Sequence, residues 1–84
     1  MTIYQFAETM NGLFLDFNGG GMLDDYTMEN CEEHDRVLFH VSNENDAEFL
    51  WNALVGAAHL CNEMYGSEIR VARIKEMVAI YEEE

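Results

Sequence analysis

The chain has 84 residues, 49% of them hydrophobic, with five Phe, four Tyr and one Trp, which fits one folded domain and argues against a disordered or multidomain protein. Seventeen Asp and Glu stand against four Lys and Arg, a formal net charge of −13. Phosphate contacts need clustered Lys and Arg, so direct binding to nucleic acid is disfavoured.

Taken in chain order, Thr2 to Gln5 has the form of a capping box, and Ile3, Phe6, Ala7 and Met10 recur at helical spacing. A short helix over about 3 to 10 follows, stopped by Asn11-Gly12. Leu13, Leu15 and Phe17 then alternate with Phe14 and Asp16, and Asn18-Gly19 is a strong hairpin signal. Pairing parity puts Leu13, Leu15 and Phe17 on one face with Met22, Asp24 and Tyr26. A polar stretch over 29–35 separates this hairpin from Val37-Leu38-Phe39-His40-Val41, a third strand.

Asn45, with Glu48 three residues later, is the best N-cap match for a helix over 46 to 65. Its apolar stripe runs through Phe49, Leu50, Ala53, Leu54, Ala57, Leu60, Cys61 and Met64, and Gly66 closes it. Val71, Ile74, Val78 and Tyr81 suggest a last helix over 68 to 82, with a strand over 68 to 74 as the alternative. The expected fold is α+β, a single domain over 1–84 in the order α-β-β-β-α-α, its three-stranded antiparallel sheet packed by helices on one face. No internal repeat or Pro-rich linker divides it.

Motifs for chemistry are sparse. Counted from Asp16, an EF-hand-like loop has Asn18 at position 3, Gly21 at 6 and Asp24 at 9. Gly20 at 5 has no side-chain oxygen and Thr27 at 12 cannot replace a bidentate carboxylate, so calcium binding is a weaker reading than a hairpin. Cys31 and His34 have a usable spacing for zinc, but His59 and Cys61 point about 200° apart on a helix and cannot readily share one ion. No metal and no cofactor is expected. His40 is tied by no motif to a nucleophile, and paired acids such as Asp24-Asp25 are more often solvated surface than acid/base machinery. No enzyme is expected. Cys31 and Cys61, in no CxxC spacing, read as reduced thiols. No apolar run approaches the roughly 20 residues of a bilayer span, and no secretory signal opens the chain, so a soluble cytoplasmic protein is expected.

Charge is uneven along the chain. Residues 1–35 contain eight acids and no Lys or Arg, while Arg36, Arg70, Arg73 and Lys75 follow. The candidate binding surface is the acidic series Asp24, Asp25, Glu29, Glu32, Glu33 and Asp35, continued by Glu44, Asp46 and Glu48. Folded carboxylates can imitate phosphate spacing and occupy a Lys/Arg-rich groove, with salt-sensitive association. In size, acidity and element order the chain resembles small acidic phage-encoded inhibitors, including anti-CRISPR proteins that act as nucleic-acid mimics. The resemblance lies in charge and layout, without a motif. It implies inhibition by occupying the nucleic-acid channel of a basic partner such as an RNA-guided nuclease, in the host cytoplasm. The alternative is a small structural or adaptor protein that forms a homodimer or larger homo-oligomer through its apolar helices, with Trp51, Val55 and Tyr81 outside the core.

Overall fold

The computed structural model describes residues 2–17, with side chains through residue 12, and residues 26–82. The class is α+β, but the order is α-β-β-α-β-β with a four-stranded antiparallel sheet. The expected three-stranded sheet and the order α-β-β-β-α-α are therefore corrected.

Helix α1 spans Ile3–Phe17. Its start is the capping box read from the sequence: the Thr2 N–H donates to Gln5 Oε1 at 3.0 Å, and the Gln5 N–H donates to Thr2 Oγ1 at 3.1 Å. Asn11-Gly12 does not stop it. A glycine inside a helix costs only about 1 kcal/mol, and Asn11 is held by Tyr26, whose hydroxyl donates to Asn11 Oδ1 at 2.7 Å. The strand expected over 13–17 is helical. Met10, Leu13, Phe14 and Phe17 also satisfy the i, i+3, i+4, i+7 period, which competes with the alternation. The Asn18-Gly19 turn, Met22 and Asp24 lie outside the described residues.

Strand β1, Tyr26–Cys31, occupies part of the stretch read as a polar spacer. Tyr26 and Met28 are half-buried while Thr27 and Glu29 are exposed, so the period is two. A single 3-10 turn over Glu32–His34, followed by Asp35 in the left-handed region (φ 51°), leads to β2, Arg36–Val41. Helix α2 covers Glu44–Tyr65. Its cap is Asn43 rather than Asn45: Asn43 Oδ1 accepts the Asp46 N–H at 2.8 Å. Gly66, at φ 69°, ends it with its N–H donating to the Asn62 carbonyl, since glycine enters that region without Cβ strain.

The helix expected over 68–82 is instead a hairpin, β3 at Ile69–Ile74 and β4 at Met77–Glu82. Val71, Ile74, Val78 and Tyr81 share a face only on a helix. In the sheet, strand parity sends Val71 and Val78 toward the helices and Ile74 and Tyr81 to the other side. The β-branched residues at 69, 71, 74, 78 and 80 suit strands.

The sheet order is β1-β2-β4-β3. Each half of the chain thus contributes helix, strand, strand, and the second strands of the two halves meet antiparallel in the middle. The centre of that ladder is the Leu38–Ala79 pair. One sheet face carries Val37, Phe39, Val41, Ile69, Val78 and Ile80 into the core, where they meet Ile3, Phe6 and Ala7 of α1 and Ala47, Leu50, Leu54, Ala58 and Cys61 of α2. α2 lies mainly along β3, and α1 crosses β2 and β4.

The position of α2 also shields an edge. Asn62 Nδ2 donates to the Ile69 carbonyl at 3.0 Å and Asn62 Oδ1 accepts the Ile69 N–H at 2.9 Å, while Trp51 Nε1 donates to the Val71 carbonyl at 3.4 Å. These side chains occupy hydrogen-bonding groups that an edge strand otherwise offers to another chain.

Candidate partner-binding surface

Among the described residues, the acids singled out along the chain do not form one surface. Asp24 and Asp25 lie outside the described residues. Glu32, Glu33 and Asp35 sit in the turn between β1 and β2, at one end of the sheet. Glu44, Asp46 and Glu48 sit in the first turns of α2, which follows the other end of β2. The six residues of β2 separate the two ends by ~17 Å at the usual rise per strand residue. Glu29 is in neither group. It lies within β1 on the sheet face away from the helices, with its carboxylate 4.0 Å from His40 Nε2.

The α2 group has structural work to do. Glu44 and Asp46 stand in the first turn, where carboxylates suit the positive end of the helix dipole. Asp46 is half-buried and accepts from Asn43 Nδ2 at 3.2 Å, in addition to donating its backbone N–H to the same side chain. Glu76, in the β3–β4 turn, reaches this end too, its carbonyl accepting the Val41 N–H. Lys75 precedes it in that turn.

The turn end is different. The hairpin pairs Ile69 with Glu82 and Arg70 with Tyr81, while Arg36 pairs with Tyr81 on the other side. Glu68 and Glu82 therefore come to the same end of the sheet as Glu32, Glu33 and Asp35, and all five are exposed. α1 begins there as well. Tyr4 has its hydroxyl pushed above the ordinary tyrosine range, first by desolvation and then by the Asp35 and Glu32 carboxylates and Cys31. Cys31 shares the field: desolvation, then Glu29 and Glu33, push its thiol up against an opposing pull from Arg36. Its Sγ lies 3.7 Å from Glu29 Oε1. Glu68 and Glu82 were missed because a helix over 68–82 holds them apart, whereas the strand alternative, extended to a hairpin, brings them together.

The sheet face away from the helices carries, by strand parity, Thr27, Glu29 and Cys31 of β1, Arg36, Leu38 and His40 of β2, Met77, Ala79 and Tyr81 of β4, and Arg70, Ala72 and Ile74 of β3. The Arg36 guanidinium stands 5.8 Å from the Tyr81 ring centroid. On the helix side, Phe6, Met10, Leu60, Cys61, Met64 and Tyr65 line an apolar groove of about 190 Å³ between α1 and α2. A second cleft, about 290 Å³, lies between α2 and β3 beside Trp51, His59 and Asn62. His59 Nε2 is 3.3 Å from Glu63 one turn on.

Among the described residues no group of three or more His, Cys, Asp or Glu is placed to hold a metal ion. The calcium-like loop falls mostly outside them, and its twelfth position, Thr27, is in a strand. Among the described residues no helix is long and apolar enough to cross a membrane. No protein-family model, curated protein or solved structure matches this chain.

Proposed function

We propose that this chain is a binding protein that presents carboxylates to the Lys/Arg-rich, nucleic-acid-binding surface of a partner and inhibits the partner by occupying it. The reading rests on the size and acidity that the chain shares with small acidic phage inhibitors; the element order expected from that resemblance is not the one observed. The observation that carries it is the convergence of Glu32, Glu33, Asp35, Glu68 and Glu82, from three separate segments, on one exposed end of the sheet. The β1–β2 turn and the ends of β3 and β4 fix the backbone positions that carry these carboxylates, so the ordering that binding to a basic groove requires is confined to side chains. Association should be fast, steered by charge and sensitive to salt.

The test is a neutral isosteric variant, Glu32→Gln, Glu33→Gln, Asp35→Asn, Glu68→Gln and Glu82→Gln together. Captured nucleic-acid-binding partners are then assayed for competition between duplex DNA and the intact or variant chain at low and moderate salt. The intact chain should displace DNA and lose at least tenfold in affinity between about 50 and 200 mM salt. The variant should fail to displace DNA. Full competition by the variant would refute the proposal, and a parallel variant in Glu44 and Glu48 should compete normally.

A second reading is association through the helices in a structural or adaptor role. It is favoured by the exposure of Leu60, Met64 and Tyr65, at 58%, 65% and 59%, beside the apolar groove.

A further inference from the structure

A two-layer domain buries one face of its sheet under helices and leaves the other to water or to a partner. Here, among the described residues, that second face is centred on apolar side chains. Leu38, Ala79 and Ala72 form one cross-strand row, and Met77 pairs with Ile74 beside it. Ala79 is only 6% exposed between its neighbours, while Ile74 is 58% exposed. Charge on this face runs against the rest of the molecule. Among the described residues, two arginines, Arg36 and Arg70, share it with one acid, Glu29, in a chain whose formal charge is −13. A second copy is repelled by the acidic ends of the sheet but not by this face.

We infer that this face is the contact between two copies of the chain, packed sheet to sheet about a two-fold axis running along the strands between β2 and β4. That axis preserves position along the strands while exchanging β2 with β4 and β1 with β3. Leu38 then lies over Ala79 of the second copy, and Ala79 under its Leu38, so a large side chain meets a small one at both places. Arg36 faces Tyr81 of the second copy, in addition to the guanidinium–ring contact already present within the chain. Glu29 falls on the second copy's β3 at the level of Ala72, one row from Arg70, and places opposite charges across the contact. The interface is isologous, and it closes.

Light scattering and sedimentation of the full chain between about 10 and about 500 µM, the range over which a modest interface dissociates, should give the mass of two chains at the upper end. Leu38→Arg should raise the dissociation constant by about thirtyfold or more, with far-UV circular dichroism unchanged because Leu38 points away from the core. The exchange of knob and hole gives a test that does not depend on a buried charge. Ala79→Leu alone sets Leu against Leu and should weaken the dimer, whereas Ala79→Leu with Leu38→Ala restores it to within about threefold. A chain that stays monomeric throughout overturns the inference. So does a dimer indifferent to Leu38→Arg, in particular one broken instead by Met64→Glu in the groove between the helices. The neutralised carboxylate variant leaves this dimer in place, so failure here and failure of the proposed function are separate results.

Discussion

Replacing Asn62 by Ala tests whether α2 holds the edge of β3 through a side chain. Two hydrogen bonds are lost, one from Asn62 Nδ2 to the Ile69 carbonyl and one from the Ile69 N–H to Asn62 Oδ1, at 3.0 and 2.9 Å. Ile69 is only 2% exposed, so water reaches these backbone groups poorly. Leaving a buried donor or acceptor unsatisfied costs about 1–3 kcal/mol. The space vacated by the amide admits some solvent, so about 2–3 kcal/mol for the pair is the expected loss. For a domain of this size that lowers Tm by about 10–20 °C. The assay is thermal unfolding together with amide hydrogen exchange at Ile69, which should lose protection beyond the global change. Asn62→Asp separates the two bonds: it keeps the acceptor for the Ile69 N–H, so the amide stays protected, but turns a carboxylate on the Ile69 carbonyl and lowers Tm. If Asn62→Ala changes Tm by less than about 3 °C and leaves the Ile69 amide protected, the edge is held by packing and the reasoning fails.

Asn43→Ala should cost about 1 kcal/mol through loss of the cap on Asp46, while Asn45→Ala leaves the melting curve within error, which distinguishes the cap in the structure from the one the sequence suggests. Tyr26→Phe removes a 2.7 Å hydrogen bond to Asn11 and should cost about 1 kcal/mol in chemical denaturation. Burial raises the Tyr26 hydroxyl above the ordinary tyrosine range, so the stability it contributes is fully present below about pH 10 and is lost as pH rises through the folded value. Denaturation midpoints measured at a series of pH values above about 9 should fall in the parent and fall less in Tyr26→Phe, with tyrosinate absorbance following the ionisation itself. The Cys31 thiol, raised by desolvation and by Glu29 and Glu33, should alkylate more slowly than a free thiol at neutral pH and faster in Glu29→Gln; an equal rate in the two proteins would remove Glu29 as a cause.

Local signals survived where no long-range pairing was needed. The Thr2–Gln5 box, the stop at Gly66 and the core strand at Val37 to Val41 are each written within a few neighbouring residues, and each folds as its pattern says. The α2 stripe does so in part: Leu50, Leu54 and Cys61 are buried, with Ala47 and Ala58 beside them, while Phe49, Leu60 and Met64 are exposed. The errors lie where two periods fit one stretch. Leu13 to Phe17 satisfies both alternation and the helical spacing begun at Met10, and α1 continues as a helix. Val71, Ile74, Val78 and Tyr81 fit a helical face, but pairing of β4 with β2 makes the hairpin the lower-energy choice, and no window around 68–82 contains that partner. Long-range pairing likewise decides which acids come together. Acids on either side of one strand in sequence, such as Asp35 and Glu44, stand at opposite ends of β2, and acids far apart in sequence, such as Glu33 and Glu82, come to the same end of the sheet.

The two readings of the molecule constrain each other through the direction of the symmetry axis. An axis running along the strands keeps the β1–β2 turns of both copies at the same end of the assembly. The two groups of Glu32, Glu33, Asp35, Glu68 and Glu82 then stand on adjacent sheets ~10 Å apart, which doubles the row of carboxylates a basic groove meets. An axis across the strands sends the groups to opposite ends, and each binds alone. The first arrangement also brings like charges together. Raising salt should then tighten the dimer by screening that repulsion while it weakens binding to a basic partner. Opposite salt dependences of self-association and partner binding therefore distinguish the parallel axis. Both weakening together would place the copies' attraction in the Glu29–Arg70 contacts rather than in the Leu38–Ala79 row.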